Sequence, residues 1–359
     1  MSLPIAIDYR PALLSRAGIG RATRELARAL AAREDVTLHL FGHCLARARV
    51  RCELPPGARL HRTPLPARAL PALRRLGVGA ERLAGGAPLF HWTDYVQPPV
   101  AQAAKLLTVH DLAFVRDQRW HGDAAATLRR RTERAVHEAT ALVTPTEATA
   151  ADVRAFAQGA PAPRVIPWGC DHVPTRTLPR VRDGDYALCV GTIEPRKNHL
   201  SLLRAWRALP AHRPHLVVVG AIGWECDATV ADLRRAQQEG WLTWIEAAED
   251  DALWSLLQHA RLLVYPALWE GFGFPPLEAM ALGVPVLAHD VAPLREVCGD
   301  AARYVDTTDP EAFPAALEAA LADEDAREAG VRAGRARAER FTWRACADAH
   351  VELYREVLS

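Results

Sequence analysis

Two glutamates bracket the stretch of this 359-residue sequence whose composition points most directly to chemistry. The stretch WEGFGFPPLEAM places Glu270 before a loop of glycines and aromatic residues, and Glu278 after it. An apolar run precedes the loop, and we predict a helix beginning around Pro275 or Pro276 because proline suits the first helical position. Glu270 is therefore expected on a loop that follows a strand, and Glu278 in the first turns of a helix.

The glycines of this loop indicate what the two acids can hold. Gly271 and Gly273 allow the backbone to approach a ligand closely, and the N–H groups at a helix start bind anions. Carboxylates on either side of such amides can hold hydroxyl groups that flank the anion. The combination suits a sugar joined to a diphosphate, whereas each acid alone would also fit an exposed loop acid or a residue that complements the helix dipole.

A basic pair follows another apolar run, in YALCVGTIEPRKNHLSLLRAW. Arg196 and Lys197 come just before a helix that we expect Asn198 to cap. Positive charge there opposes the helix dipole, and a bound anion would reverse that cost. Arginine offers a bidentate fork and lysine a mobile point charge, a common combination around phosphate. The alternative is ordinary surface charge balanced by Glu194.

Short runs rich in Val, Ile and Leu recur along the chain, and segments with helical spacing separate them. This alternation is typical of βα units in parallel sheets. We predict an α/β protein with two doubly wound, Rossmann-like domains facing a cleft. The predicted strands lie within residues 3–9, 36–42, 88–94, 105–111, 140–146 and 164–169, and then 186–192, 215–220, 242–247, 261–267, 284–290 and 302–307.

A proline-rich segment at 168–185 carries no apolar periodicity, and we place the linker between the domains there. The first domain is expected to span residues 1–170 and the second residues 171–342. The apolar residues of the last segment recur at helical spacing, so residues 343–359 are expected to form a closing helix that returns to the first domain.

Composition excludes several classes of protein. Lys and Arg total 44 against 43 Asp and Glu, so no global charge favours nucleic acid. The start of the chain does not resemble a secretion leader and no run is long enough to span a bilayer, which favours a cytoplasmic protein. The seven cysteines are scattered and lack C-x-x-C spacing, so we expect buried thiols rather than disulfides or metal ligands.

Residues 47–82 form the one strongly biased region, with nine arginines against two glutamates. The region contains no Phe, Trp or Tyr for base stacking, so nucleic acid is not the expected partner. Its basic, leucine-bearing pattern would suit peripheral contact with an anionic membrane or a lipid-phosphate acceptor, or an ordinary solvated face. The aromatic residues of HWTDYVQPP, 91–99, fit either an acceptor-sugar site or core and turn positions.

Five motifs are spread along the chain: H-D-L at 110–112, G-x-x-x-P-R-K-N at 191–198, E-x7-E at 270–278, G-V-P-V at 283–286 and a late F-T-W at 341–343. Together they resemble the retaining GT-B glycosyltransferases of family GT4, over nearly the whole chain. The chain departs from that pattern where Trp168-Gly169 replaces a common Asn-Gly and where Ala267 replaces a common serine.

The resemblance implies a nucleotide-sugar site in the second domain and an acceptor site in the first. Glu270 would contact sugar hydroxyls, Glu278 the nucleotide ribose diol, and His110 the donor sugar from across the cleft. The residues implied in catalysis are His110, Arg196, Lys197 and Glu270. Those implied in donor binding are Gly18, Gly20, Gly191, Arg196, Lys197, Gly271, Phe272, Gly273, Phe274, Leu277 and Glu278.

The function implied is transfer of a hexose, with retention, to a glycan or lipid-linked acceptor in cell-surface polysaccharide or glycoconjugate biosynthesis. Mannose is the favoured sugar and GDP-mannose the favoured donor, with a UDP-sugar as the other option. No cofactor and no metal are expected, because the D-x-D motif Asp183-Gly184-Asp185 precedes a strand in the linker. A nucleotide-sugar epimerase or hydrolase and a non-catalytic nucleotide-sugar-binding subunit are the alternatives.

Overall fold

The computed structural model describes residues 2–16, 18–43, 54–63 and 70–359. The chain divides into two compact units, each assembled from more than one segment. The first unit comprises residues 1–115, 126–169 and 342–359, and the second comprises 116–125 and 170–341. Residues 116–125 thus belong to the second unit, although the sequence placed all of 1–170 in the first.

Strands and helices alternate through both units, as the sequence predicts. The strands are β1 (Leu3–Asp8), β2 (Val36–His43), β3 (Arg59–Thr63), β4 (Leu89–Trp92), β5 (Ala104–Thr108), β6 (Ala141–Thr144), β7 (Pro163–Val165), β8 (Tyr186–Val190), β9 (His215–Val219), β10 (Leu242–Ile245), β11 (Leu262–Tyr265), β12 (Val286–His289) and β13 (Arg303–Val305). The helices are α1 (Arg10–Leu14), α2 (Ile19–Ala31), α3 (Leu70–Arg75), α4 (Ala80–Leu83), α5 (Ala113–Arg116), α6 (Ala124–Glu138), α7 (Glu147–Phe156), α8 (His199–Ala208), α9 (Asp227–Gln238), α10 (Asp250–Gln258), α11 (Phe274–Ala281), α12 (Ala292–Cys298), α13 (Ala312–Ala322), α14 (Glu324–Ala338) and α15 (Trp343–Leu358).

The first unit is built on a parallel sheet in the order β3-β2-β1-β4-β5-β6-β7. The interior strand β1 is fully buried at Ile5, Ala6 and Ile7, which agrees with its apolar sequence up to the buried Asp8 at its carboxyl end. All six strands predicted for this half are present. The sequence did not predict β3, because RLHRT is a polar strand that, among the strands the structure describes, pairs with β2 alone.

The closing helix α15 packs into the first unit, as predicted. Thr342 caps the helix, since its hydroxyl accepts a hydrogen bond from the N–H of Ala345 at 3.2 Å. The hydroxyl of Tyr354 lies 2.8 Å from Nδ1 of His91 on β4, and both residues are buried. The indole ring of Trp343 packs on Trp168, with ring centroids 5.9 Å apart. The helix therefore completes the core of the first unit and is not a tail.

The second unit is built on a parallel sheet in the order β10-β9-β8-β11-β12-β13. All six strands predicted for this half are present. Helix α8 packs against this sheet through Leu202, Leu203 and Trp206, all of which are fully buried in the hydrophobic core of the unit. The short strands and flanking helices are those of a doubly wound fold.

Each sheet contains a point at which the strand order reverses, between β1 and β4 in the first unit and between β8 and β11 in the second. Ligands of doubly wound sheets bind outside the carboxyl ends of the strands at such a switch point. The loops after β8 and β11 hold the basic pair and the first glutamate singled out in the sequence. The carboxyl edge of the second sheet is therefore the place where the fold predicts a ligand site.

The arginine-rich region 47–82 lies partly outside the described residues, since 47–53 and 64–69 are not among them. Within its described part, Arg59 and Arg62 are exposed on β3, and Leu76 has 77% of its surface exposed. Glu81 is buried, and its carboxylate accepts hydrogen bonds from the N–H groups of Ala101 and Gln102. In the part of the chain that the structure describes, no helix is long and apolar enough to cross a membrane.

Candidate active site

The loops after β8 and β11 meet through backbone contacts. A 3₁₀ turn, Pro195–Lys197, follows β8 and carries the basic pair. The N–H of Leu268, on the loop after β11, donates to the carbonyl of Arg196 at 2.9 Å. The guanidinium of Arg196 donates in return to the carbonyl of Trp269 at 2.6 Å. Two motifs about seventy residues apart therefore form one structural unit.

A charged network joins the side chains of these loops. Nζ of Lys197 donates to Oε1 of Glu270 and, at 3.1 Å, to the hydroxyl of Tyr265. Oε1 of Glu270 also accepts from the Tyr265 hydroxyl at 3.0 Å and lies 3.1 Å from Nη1 of Arg196. The second guanidinium nitrogen of Arg196 donates to Glu194 at 2.8 Å. Both predicted cations are thus held by carboxylates in a nearly buried site.

Tyr265, the last residue of β11, joins this network through its hydroxyl group. Its side chain is 2% exposed, and burial, followed by the charge of Glu270, raises its pKa well above 10. The hydroxyl therefore keeps its proton and acts as a donor to Glu270. Sequence reasoning placed Tyr265 in a strand but gave it no role, because its position beside Lys197 depends on β8 and β11 being neighbours in the sheet.

The start of helix α8 differs from the prediction in one respect. Asn198 occupies the N-cap position in a left-handed conformation with φ of 54°, but its side chain makes no capping hydrogen bond. Its amide instead donates to the hydroxyl of Thr307 at 3.0 Å. His199 follows it and is buried, and burial together with the charge of Lys197 lowers its pKa to about 3. The imidazole is therefore neutral beside the basic pair.

Helix α11 begins at Phe274, one residue before the predicted start, and Gly273 is its N-cap. The φ of Gly273 is 95°, and a side chain there would bring Cβ within 2.5 Å of Leu294. This position therefore needs glycine for its conformation, and a Cβ there would also require the Leu294 side chain to move. Phe272 and Phe274 pack edge to face, with ring centroids 5.3 Å apart, and Leu277 is fully buried.

Glu278 lies in the second turn of α11 and is 1% exposed. Its Oε1 is 3.0 Å from Nε2 of His172, which lies on the segment after β7. Sequence reasoning did not single out His172, because nothing in a proline-rich linker marks a histidine as the partner of a glutamate 106 residues further on.

The remaining predicted glycines lie near the ends of strands or helices. Gly191 directly follows β8, and a Cβ on it would lie 3.5 Å from the Lys197 side chain. Gly18 is exposed, with φ of 54°, and is the N-cap of α2. Gly20 lies inside α2, and a Cβ on it would approach the carbonyl oxygen of Ser15 to 2.1 Å. That glycine is needed where α2 packs against the preceding turn.

His110 lies in the first unit, two residues after β5. Its Nε2 is 2.9 Å from the carbonyl oxygen of Thr93, and its ring stacks on Trp168 with centroids 5.7 Å apart. Burial lowers its pKa below the usual value, which favours a neutral ring that donates to Thr93. Its predicted role opposite the donor sugar stays a prediction. His91 and Trp92 of the nearby HWTDYVQPP segment are buried core residues.

Residues 116–125 add one cation that sequence reasoning missed. The guanidinium of Arg116 lies 3.5 Å from the ring centroid of Trp269, the residue before Glu270. The indole N–H of Trp224 donates to the carbonyl of Trp120 at 2.6 Å. These contacts explain why the segment belongs to the second unit.

Groups of three or more His, Cys, Asp or Glu side chains that could hold a metal ion are absent from the described residues. Five of the seven cysteines, Cys170, Cys189, Cys226, Cys298 and Cys346, are free and buried. Cys44 and Cys52 lie outside the described residues.

Two parallel-sheet α/β units, with a basic and acidic cluster at a switch point, define the class of GT-B glycosyltransferases. A family model described as "Glycosyl transferase 4-like domain" matches residues 17–169, and one described as "Glycosyl transferases group 1" matches residues 176–337. The chain therefore belongs to the group 1, GT4-like glycosyltransferases, as the sequence motifs predicted.

Relatives and solved structures agree with this assignment. The chain is 40% identical over 173 residues to the O-antigen chain mannosyltransferase B of Escherichia coli, an alignment that covers 47% of this chain and 45% of that protein. It is 33% identical over 138 residues to the serotype-specific mannosyltransferase WbdA of Escherichia coli, covering 38% of this chain and 17% of that protein. These alignments thus span less than half of either relative.

Among solved structures, the fold matches sucrose-phosphate synthase from Thermosynechococcus elongatus with a TM-score of 0.81. The match covers 99% of both chains at 23% sequence identity. A likeness at this identity establishes the GT-B fold alone.

Proposed function

We propose that this protein is a retaining glycosyltransferase that moves a hexose from a nucleoside-diphosphate sugar to a glycan or lipid-linked acceptor. Mannose is the favoured sugar and GDP-mannose the favoured donor, because the relatives named above are mannosyltransferases. The proposed setting is cell-surface polysaccharide biosynthesis. The observation that carries the proposal is the network of Arg196, Lys197 and Glu270 at the switch point of the second sheet.

The basic pair suits a leaving diphosphate. An ammonium group has three N–H donors. Among the described residues Lys197 donates to Glu270 and Tyr265, which leaves its third N–H for a phosphate oxygen. Preorganised cations of this kind stabilise the negative charge that develops as the sugar–phosphate bond breaks. The leaving diphosphate then accepts the proton of the attacking hydroxyl on the same face of the sugar, so retention follows without a protein nucleophile.

Glu270 has two tasks in this proposal. Its Oε1 orients Lys197, and the same carboxylate is placed on the loop whose amides would contact the donor sugar. It accepts hydrogen bonds from sugar hydroxyls and so fixes the anomeric carbon relative to the diphosphate. Glu278, on the following helix, would accept hydrogen bonds from the two ribose hydroxyls at the nucleotide end of the nucleotide-sugar.

No metal ion and no cofactor are included in the proposal, since Arg196, Lys197 and the helix N-terminus provide positive charge for the diphosphate. We propose a cytoplasmic location, with peripheral attachment at the inner face of the membrane through residues 47–82. The exposed Arg59, Arg62 and Leu76 in the described part of that region support the attachment.

A nucleotide panel tests the donor site directly. We expect one nucleoside diphosphate, with GDP favoured over UDP, to raise the melting temperature, and a chelator to leave that shift unchanged. A ligand at about a hundred times its Kd stabilises the bound fold by about 2.7 kcal/mol. Transfer of radiolabelled mannose from GDP-mannose to lipid-linked glycan in membranes then tests the reaction.

Three outcomes would contradict the proposal in different ways. Binding without transfer to any acceptor would favour a non-catalytic subunit. Sugar release or epimerisation without acceptor would favour the hydrolase or epimerase alternative. A shift abolished by chelator would overturn metal independence.

A further inference from the structure

The contact between His172 and Glu278 joins the segment after β7 to helix α11. Both side chains are nearly buried, with 6% and 1% of their surface exposed. A buried carboxylate is costly unless it is hydrogen-bonded, and a donor that contacts one oxygen also restricts rotation of the group. The 3.0 Å contact from Nε2 of His172 to Oε1 of Glu278 does both.

Two aromatic rings hold the imidazole in place. Trp254 meets the His172 ring edge to face at 5.8 Å, and Phe274 meets it in the same way at 6.1 Å. Phe274 is also the first residue of α11, the helix that carries Glu278. The orientation of the imidazole is therefore coupled to the start of the helix at which the donor is proposed to bind.

A carboxylate with a fixed plane can select its ligand. The two adjacent hydroxyls of a ribose can donate to the two oxygens of one carboxylate, whereas a deoxyribose lacks one of these donors. A carboxylate that can rotate would lose part of this distinction, because it could adapt to a single hydroxyl.

We propose that His172 is a positioning residue that orients the Glu278 carboxylate and makes this site selective for a nucleotide with an intact ribose diol. The inference rests on the proposed function, in which Glu278 binds the ribose. His172 itself does not touch the reacting atoms, and it acts through the orientation of Glu278.

Titration calorimetry with GDP, 2′-deoxy-GDP and 3′-deoxy-GDP tests the proposal. For the wild-type protein we expect GDP to bind about tenfold more tightly than either deoxy form, as one hydrogen bond to a charged group permits. His172→Phe keeps a ring but removes the donor, and should reduce the preference to about threefold or less. His172→Gln keeps an N–H donor and should retain most of the preference.

His259 provides a matched control in the same unit. Its Nε2 lies 2.8 Å from the carbonyl oxygen of Leu178, and its partner is not Glu278. His259→Phe should therefore keep the wild-type preference even where it lowers the melting temperature. A merely structural role for His172 would make the two phenylalanine variants behave alike.

The outcomes separate this inference from the proposed function. A wild-type preference retained in His172→Phe overturns the inference and leaves the transferase proposal intact. Wild-type protein that binds GDP and its deoxy forms equally well also overturns the inference alone. Wild-type protein that binds no nucleoside diphosphate overturns both. If His172→Phe fails to fold, His172→Asn, which is too short to reach Glu278, replaces it in the same comparison.

Discussion

The two switch points of the molecule have the same architecture but a different balance of acidic and basic side chains. In the first unit, Arg10 lies between two carboxylates: it forms a hydrogen bond with Asp94, and its Nη2 is 3.8 Å from Asp8. In the second unit, Arg196 and Lys197 lie against Glu270 and Glu194. The first cluster therefore has one cation for two acids, and the second has two cations for two acids.

This difference shows how one fold can form two kinds of site. The first switch point has one more carboxyl group than it has cations, and carboxyl oxygens suit a ligand that brings hydroxyl groups. The second cluster gains a further positive charge nearby, from Arg116 on Trp269, and suits a ligand that brings phosphate. The division agrees with a proposed acceptor site in the first unit and a donor site in the second.

The largest expected effect is a loss of kcat/KM, which we predict for the arginine of the second cluster and not for that of the first. Arg196→Ala, and likewise Glu270→Ala, should reduce kcat/KM for transfer by about 10²–10³-fold, because each removes part of the charge arrangement at the leaving diphosphate. Arg10→Ala should leave the Kd for GDP unchanged. It should instead destabilise the first unit by about 3 kcal/mol, since Asp8 and Asp94 lose their shared cation.

Initial rates, calorimetric Kd values and urea unfolding check this contrast. Wild-type turnover in Arg196→Ala, with unchanged donor affinity, would remove Arg196 from the site. Weakened GDP binding in Arg10→Ala would show that the two clusters do not divide the ligands as proposed.

A second contrast concerns pH. Each unit contains a buried group with a shifted pKa, and the two shifts make the free energy of unfolding change with pH in opposite directions. Burial raises the pKa of Asp8 to about 7, so the folded protein keeps a proton that the unfolded chain releases above about pH 4. This contribution to stability is complete below pH 4 and is lost as the pH rises towards 7. His199, with its pKa lowered to about 3, contributes stability that is lost as the pH falls below 6.5.

Unfolding free energies at pH 4.5, 5.5 and 6.5 should therefore diverge between two variants. Relative to the wild type, Asp8→Asn should gain stability as the pH rises, by up to about 1.4 kcal/mol per pH unit. His199→Phe should change in the opposite direction over the same range. Curves that stay parallel to the wild-type curve would show that neither group titrates as described.

The smallest contrast compares two buried tyrosines. Tyr265→Phe removes the hydroxyl that contacts Lys197 and Glu270, and should weaken GDP binding by a few-fold. Tyr354→Phe removes the hydroxyl beside His91 and should lower the unfolding free energy by about 1 kcal/mol without affecting GDP binding. Calorimetry and urea unfolding of both variants distinguish these effects, and equal loss of GDP binding in the two would contradict the contrast.

Most of the fold was predictable because its strands are short, apolar and separated by helices. The edge strand β3 was not, since its polar sequence RLHRT lacks the burial that makes the other strands recognisable. The helix at Phe274 and the closing helix α15 were predicted to within a residue or two, from proline placement and apolar spacing.

The candidate site was predictable as separate motifs but not as a network. Arg196 and Glu270 were each singled out by their local sequence, while their contact depends on β8 and β11 being adjacent. Arg116 and His172 were missed because each contacts a partner distant in the chain. No local sequence pattern indicates that residues 116–125 belong to the second unit, although the residues on either side of them belong to the first.

The segmented make-up of the first unit has a consequence for synthesis on the ribosome. Helix α15 supplies Trp343, His350 and Tyr354 to the core of that unit, yet it is translated after all of residues 170–341. The second unit can therefore complete its core while the first still exposes the surface that awaits α15. N-terminal domains usually fold first during synthesis, but the first unit of this protein can complete its core only after the second unit has been translated. A nascent chain paused before Thr342 would expose that apolar surface to chaperones.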